Sequence, residues 1–309
     1  MALPDWFHEL AKRVSNRGRW GADDEIGTLN LITPEATRRG AACVRKGTSF
    51  SLALPLCLDG PQTGRIPNRI NPLHTMVAIN TPFTGDPAHC CLSDDVVVMG
   101  LQAATHWDGL AHASYEGRLY NGFPAASVTA EAGATRCGIE KVRPIVTRGI
   151  LLDVARAKGV GRLDAGYPIS PADLDDALRT TGLRVLPGDV LLVRTGQMEH
   201  LRAGDRESYR IPSPGLGVAT VEWFHDRDVA AVATDTMPFE VWPGEHADAL
   251  LPVHLLDLVE MGMTQGQNWV LDELAADCAG DGVYEFLLSA TPEPFVGAVG
   301  SPVTPVATK

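Results

Sequence analysis

Two histidines and an aspartate fall within seven residues of the segment GLQAATHWDGLAH, residues 100–112. His106 and Asp108 stand two positions apart, so on an extended strand both side chains point to the same face. Imidazole and carboxylate groups are good ligands for Zn²⁺ or Mn²⁺. His112, four residues past Asp108, would lie near such an ion yet be free to act as a base. The pattern predicts a divalent ion that activates water beside a histidine that moves protons; the alternative is a hydrogen-bonded polar network beneath a loop.

Other side chains are candidates for the same site. Gln102 lies four positions before His106 and shares its face if the strand is unbroken. Trp107 points to the opposite face of a regular strand, which favours packing over stacking on a substrate ring. The residues that we predict to contact substrate or to support the site are Trp20, His74, Trp107 and Tyr115.

A long loop precedes the cluster. The stretch DGPQTGRIPNRINP, residues 59–72, is rich in Gly, Pro and Asn, which favour turns. Long ordered loops inside compact domains are commonly functional. Its Arg65 and Arg69 fit either a carboxylate-bearing substrate or a solvated loop.

Composition limits the class of protein. The chain has 309 residues, 45% of them hydrophobic, and a formal net charge of −12. An acidic chain without Lys/Arg clusters argues against nucleic acid or anionic membrane as partners. No run approaches the roughly 20 apolar residues of a membrane span, and the first residues do not form a signal peptide. Six scattered cysteines suit a reducing compartment, so we predict a cytoplasmic protein.

The remaining sequence predicts the elements that must position the cluster. Thr33 and Pro34 begin a helix that extends to about residue 45, and Ser170 and Gly182 bound another. A further helix is predicted at residues 6–14, and helical sequence flanks a strand-length break at 263–267. Short apolar runs, which suit strands buried on both faces, predict strands at residues 50–56, 95–101, 149–154, 188–196 and 229–236. We predict an α/β fold with an N-terminal helical arm at 1–35 and one domain at 36–309; a boundary near residue 145 is the competing division.

The cluster also resembles a known signature. ATHWDGLAH is similar to the His-x-Gly-Thr-His-x-Asp-x-Pro-x-His motif of the cyclase family of metal-dependent hydrolases, which includes bacterial kynurenine formamidase and isatin hydrolase. The segments RWGADDEIGTLNLITPE, DGLAHASYEGRLYNG and GAVGSPVTPVA resemble the longer-chain branch of that family. The resemblance implies that His106 and Asp108 hold the metal, that His112 is the general acid/base, that the fold is of the swivelling β/β/α kind, and that the protein is a homodimer or homotetramer.

Four positions depart from the family pattern, and the milder two are Ala104 and Leu110, which replace its glycine and its proline. Gln102 replaces the first histidine, and an amide is a weaker ligand for zinc than imidazole. The second half of the family site implies His254 as a ligand, with His246 as a weaker rival, and Gln267 stands where the family carries a glutamate. A neutral residue there favours one Mn²⁺ or Zn²⁺ per chain over two. Gln267 is instead predicted to hydrogen-bond the substrate or a metal-bound water.

Other catalytic classes find less support. VGSPV places its serine directly before a proline, unlike a serine hydrolase, and GLGVAT lacks the third glycine of a dinucleotide site. Nothing marks Cys90 or Cys91 as an activated nucleophile. We therefore predict a metal-dependent hydrolase that opens a small cyclic amide, imide or lactone, or cleaves an aryl amide. The alternative is a non-catalytic protein of the same fold that binds a small molecule.

Overall fold

The computed structural model describes residues 2–309 of the chain. Its strands are β1 (Ser49–Ser51), β2 (Leu73–Pro82), β3 (Cys91–Val98), β4 (His106–Asp108), β5 (Val128–Thr129), β6 (Gly133–Ala134), β7 (Val146–Asp153), β8 (Pro168–Ile169), β9 (Val190–Arg194), β10 (Gly215–Leu216), β11 (Ala231–Thr234), β12 (Thr264–Gln267), β13 (Glu285–Ser289), β14 (Gly300–Pro302) and β15 (Val306–Thr308). Its helices are α1 (Asp5–Val14), α2 (Pro34–Ala41), α3 (Val154–Ala157), α4 (Pro171–Thr181), α5 (Met198–Arg202), α6 (Arg206–Arg210), α7 (Thr220–His225), α8 (Pro252–His254) and α9 (Asp272–Asp281).

A mixed nine-stranded sheet organises the molecule. Its strand order is β1-β15-β13-β7-β9-β11-β12-β4-β14. The central strands β7, β9, β11 and β12 are parallel, and the strands outside them pair antiparallel. In β9, Leu191 and Val193 enter one apolar core while Val190 and Leu192 enter the other. The central strands are therefore buried on both faces, as their continuous apolar sequence predicts.

Helix ends follow their local sequence closely. Ser170 and Asp173 form a reciprocal capping box at the start of α4, and Gly182 ends this helix in the left-handed conformation. Helix α1 buries Phe7 and Val14 in the core. The predicted α/β fold with an N-terminal helix is confirmed. Within residues 2–309, no helix is long and apolar enough to cross a membrane.

Several predicted boundaries are wrong. The strand predicted at 50–56 is three residues long and stops before Pro55, which cannot donate to a ladder. Helix α2 ends at Ala41 rather than near residue 45, just after Gly40, a poor helix former. No strand is predicted after residue 267, yet the end of the chain adds β13, β14 and β15 to the main sheet.

The strand predicted at 95–101 is also placed differently. It forms β3, which pairs with β2 in a separate two-stranded ribbon, and its residues are exposed rather than buried. The chain then turns at Gly100, whose N–H donates to the Ile70 carbonyl, before β4 begins. Gln102 consequently lies in a turn. The strand is therefore not continuous from Gln102 to Asp108, and strand alternation does not place Gln102 on the face of His106.

Candidate active site

The polar cluster lies on strand β4, between two strands from much later in the chain. β4 pairs antiparallel with β12 on one side and with β14 on the other. His106 is opposite Gln267 and Asp108 is opposite Gln265, so these four polar side chains share one face of the sheet. Trp107 points to the other face, into the apolar core.

The two ring nitrogens of His106 have different surroundings. Nδ1 lies 2.7 Å from the carbonyl oxygen of Ala104, which can only accept, so Nδ1 carries the proton and donates it. Nε2 is then the lone-pair nitrogen. It is buried without a hydrogen bond and lies 3.5 Å from Asp108 Oδ1. A neutral imidazole held in one tautomer in this way is the form that ligates metal ions.

Asp108 is a fully buried carboxylate with one free oxygen. Its Oδ2 accepts a hydrogen bond from Gln267 Nε2 at 2.6 Å, whereas Oδ1 has no hydrogen-bond partner. Burial by itself would raise the pKa of Asp108, but the neighbouring His112 and His106 outweigh it and hold the pKa well below its usual range. The site therefore contains a charged oxygen available to a cation.

His112 is the most accessible histidine of the cluster, with 24% of its side chain exposed, and its Nε2 lies 3.7 Å from Asp108 Oδ1. The charge of Asp108 raises the pKa of His112, but burial, together with the neighbouring His254, Arg69 and His106, lowers it below its ordinary value. A histidine that stays neutral near pH 7 is able to accept a proton.

His254 approaches the cluster from a helix. Residues 252–261 are helical, with π-helical geometry at Leu255–Met261, a distortion that is common at functional sites. Glu240 Oε1 accepts from both the backbone N–H and the Nδ1 of His254, at 2.9 and 2.6 Å. Burial would lower the pKa of His254, but the hydrogen bond and charge of Glu240 outweigh it and raise the pKa. The Nε2 of His254 faces Gln267 Nε2 at 3.5 Å.

Glu240 was missed by the sequence reasoning. It is buried, with 2% of the residue exposed, and its second oxygen accepts from the Val253 N–H at the start of the helix. One signal was available, because a single acid within the apolar stretch MPFEVW needs a partner if it is buried.

The two glutamines both lie at the cluster. Gln267 bridges Asp108 and His254. Gln102 lies against Gly300, where an added Cβ would come within 2.6 Å of Gln102 Nε2. Since Gly300 pairs with Asp108, the missing side chain of Gly300 makes room for the Gln102 amide beside the cluster.

Comparisons with known proteins show the family of the chain. The family model described as "Putative cyclase" matches residues 50–241. A solved structure of a novel cyclase is 40% identical, covers 96% of this chain and 100% of its own, and has a TM-score of 0.87. The chain belongs to the cyclase family. The family resemblance inferred from the motif is therefore confirmed.

More distant members share the cyclase fold. Isatin hydrolase A from Labrenzia aggregata is 18% identical, covers 86% of this chain and 94% of its own, and has a TM-score of 0.64. A "predicted metal-dependent hydrolase" from Bacillus stearothermophilus is 15% identical, covers 84% of this chain and 97% of its own, and has a TM-score of 0.55. No curated protein matches the chain.

The side chains of the remaining candidate residues of this cyclase-family chain contact other parts of the fold. Trp107 packs edge-on against Trp269 and donates its Nε1–H to a backbone carbonyl. His74 lies on the ribbon, where it pairs with Asp95 at 2.7 Å. Trp20 stacks on Arg19 at the surface, and Tyr115 donates to Glu260 and packs on Phe7. Each of these side chains thus has partners outside the cluster.

The structure distinguishes the two loop arginines. Arg65 is exposed and pairs with Glu207 at 3.4 Å. Arg69 is half-buried; burial lowers its pKa and the charge of Asp108 raises it. Arg69 is thus the loop arginine that the charge of Asp108 influences.

The free donor atoms fit a metal ion. Two ligands of one zinc ion, each about 2.0–2.2 Å from it, lie about 3.4 Å apart in tetrahedral geometry, and His106 Nε2 and Asp108 Oδ1 are 3.5 Å apart. Both atoms are buried without hydrogen bonds, a costly state that a cation relieves. Among residues 2–309, no three His, Cys, Asp or Glu side chains form a ready-made site. The amide oxygens of Gln102 or Gln267, or water, would have to complete the ligand set.

Proposed function

We propose that this protein is a metal-dependent hydrolase that opens a small cyclic amide, imide or lactone, or cleaves an aryl amide. The observation that carries the proposal is the buried pair of free donors, His106 Nε2 and Asp108 Oδ1, beside a histidine whose pKa is lowered. These two residues, with His254 and an amide of Gln102 or Gln267, would hold one Mn²⁺ or Zn²⁺. When bound, the ion supplies Lewis acidity toward a carbonyl and lowers the pKa of water.

The chain's own residues carry the proton chemistry. His112 Nε2 faces the free oxygen of Asp108, so a water held beside that carboxylate lies within its reach. His112 accepts a proton from this water as the water oxygen forms a bond to the substrate carbonyl carbon. The carbon–nitrogen or carbon–oxygen bond then breaks, and His112 returns the proton to the departing atom. The products are a carboxylic acid, which releases its remaining proton to solvent and becomes a carboxylate, and a free amine, amide or hydroxyl group.

Metal analysis and a substrate screen test the proposal. We expect about one Mn²⁺ or Zn²⁺ per purified or reconstituted chain, and turnover of at least one compound among cyclic imides, lactones and N-formyl aryl amines. Removing the ion with a chelator should abolish that turnover, and adding it back should restore it. A chain that binds no metal after reconstitution but still binds small molecules would establish the non-catalytic alternative.

We propose that Arg69 binds the negative charge that develops in the transition state and that remains on the product carboxylate. Replacing it with methionine, which keeps the apolar stem, should lower kcat/KM about 10–100-fold, because a hydrogen bond to a charged group contributes about 1.5–3 kcal/mol. Arg65→Met is the matched control from the same loop and should change kcat/KM by less than about twofold. If the two substitutions change kcat/KM equally, Arg69 has no specific role at the site.

Glu240 is a positioning residue for His254. Because partners of metal-ligating histidines affect affinity by about 10–100-fold, Glu240→Gln should weaken metal binding by that factor. Competition with a chromogenic chelator measures the change. Glu245→Gln is the control, since Glu245 accepts from the Val218 N–H rather than from His254. If both variants retain wild-type metal affinity, His254 does not contribute to the ion site.

A further inference from the structure

A cavity of about 490 Å³ is lined by residues of helices α5 and α6 and of the chain that follows α6. No residue of strand β4 and no histidine of the candidate active site lines it. Its volume lies in the range of small-molecule binding sites. The lining combines polar and apolar side chains and includes Ala165, His200, Ser208, Arg210, Ile211 and Pro212.

Arg210 places a buried positive charge in the wall of this cavity. Only 7% of the residue is exposed, and its Nε is buried with no hydrogen-bond partner within residues 2–309. Its ion pair is loose, because Glu207 Oε2 lies 3.7 Å from its Nη2, beyond hydrogen-bond distance. A buried guanidinium with so little compensation is costly, and an anion bound beside it would offset that cost.

The backbone around Arg210 is held in place before any ligand arrives. Asp205 caps helix α6 by accepting from the Ser208 N–H at 3.0 Å, and Asp205 does not line the cavity. The buried Gln197 donates its Nε2–H groups to the carbonyls of Ser208 and Tyr209, at 2.7 and 3.1 Å. Tyr209 is itself fully buried in a small apolar cluster. A site that is fixed in this way loses little conformational entropy when it binds a ligand.

The charges at the cavity favour a ligand with one negative charge. The carboxylate of Glu207 also pairs with the exposed Arg65, at 3.4 Å. Two guanidinium groups therefore share one carboxylate, and one positive charge is left without compensation. A carboxylate supplies the single negative charge that balances it, and its planar shape fits the planar donors of an arginine.

We propose that this cavity is a second binding site, which takes a small organic carboxylate through Arg210. Ser208 and His200 supply further polar groups in the same cavity. Ala165, Ile211 and Pro212 supply apolar surface for the body of the ligand. The site requires neither a metal ion nor turnover at the cluster on β4, so it can be tested independently of the proposed function.

Benzoate is the test ligand, and benzamide is its neutral analogue of nearly the same shape. Calorimetric titration of the full chain should give benzoate a millimolar or lower Kd, with benzamide binding at least about tenfold more weakly. Arg210→Met should weaken benzoate binding at least about tenfold, with an unchanged circular dichroism spectrum. Arg206→Met is the matched control from the same helix and should keep wild-type affinity, because Arg206 pairs with Asp59 outside the cavity.

Arg69→Met distinguishes this cavity from the candidate active site. If Arg69→Met weakens benzoate binding and Arg210→Met does not, benzoate binds at the cluster and the proposal is wrong. Arg210→Lys keeps the charge but loses the planar donors, so it provides a second variant in case Arg210→Met does not fold, and it should also bind benzoate more weakly.

Two results on the wild-type chain alone would also overturn the proposal. One is the absence of benzoate binding at about 10 mM, or equal binding of benzoate and benzamide, since neither fits a site built on a buried cation. The other is inorganic phosphate binding as tightly as benzoate, because the apolar lining would then contribute nothing and the ligand would not be an organic carboxylate.

Discussion

Asp108→Asn should abolish both metal binding and turnover. The substitution keeps the size of the side chain and an acceptor for Gln267, but it removes the charge from the oxygen that faces His106 and His112. A catalytic ion supplies several kcal/mol of transition-state stabilisation, so its loss should lower kcat/KM by about 10³-fold or more. Metal content by mass spectrometry and steady-state kinetics measure the two losses.

The fold should tolerate this change. Asp108→Asn keeps the size of the side chain and the acceptor for Gln267, so we expect the variant to give the circular dichroism spectrum of the wild type. Asp226→Asn, at an exposed carboxylate, is the matched control and should keep wild-type metal content and activity. An Asp108→Asn protein that stays active after chelator treatment and dialysis would show that no ion at this carboxylate is needed.

His112→Ala should separate metal binding from proton transfer. His112 is the histidine with a lowered pKa and partial exposure, so its removal should leave the ion in place while kcat falls about 10²–10⁴-fold, the usual contribution of general acid–base catalysis. Metal content and kcat measured on the same preparation provide both readings.

The two variants should differ in metal content, which Asp108→Asn loses and His112→Ala keeps. Loss of the metal in His112→Ala would show that His112 is a metal ligand rather than a base. An unchanged kcat would show that another group transfers the proton. His225→Ala, at a histidine next to an exposed aspartate on helix α7, should leave both measurements unchanged.

Local chemistry explains which elements were predictable. The boundaries of α4 follow from Ser170, Pro171 and Gly182, each of which acts on its own turn of helix. Strand β9 follows from an unbroken apolar run. These signals lie within the element itself, so no knowledge of its neighbours was required.

Tertiary contacts explain what the sequence could not predict. The three consecutive valines of β3 indicate a strand but do not say what covers it, and they are exposed on the ribbon. β14 contains Pro302, which argues against a central strand; the sheet tolerates it because β14 is at the edge. Of the site, His106, Asp108 and His112 could be predicted from one short segment. The contact between Glu240 and His254 depends on how two loops meet in space.

The position of β4 between β12 and β14 has a consequence for biosynthesis. The residues opposite His106 and Asp108 come from strands at 264–267 and 300–302, and 159 residues separate Asp108 from its partner Gln267. A nascent chain on the ribosome therefore cannot enclose these side chains until translation has passed residue 302. Under the proposed function, an ion that meets these side chains earlier encounters a flexible peptide, so we expect metal selection and loading to follow folding.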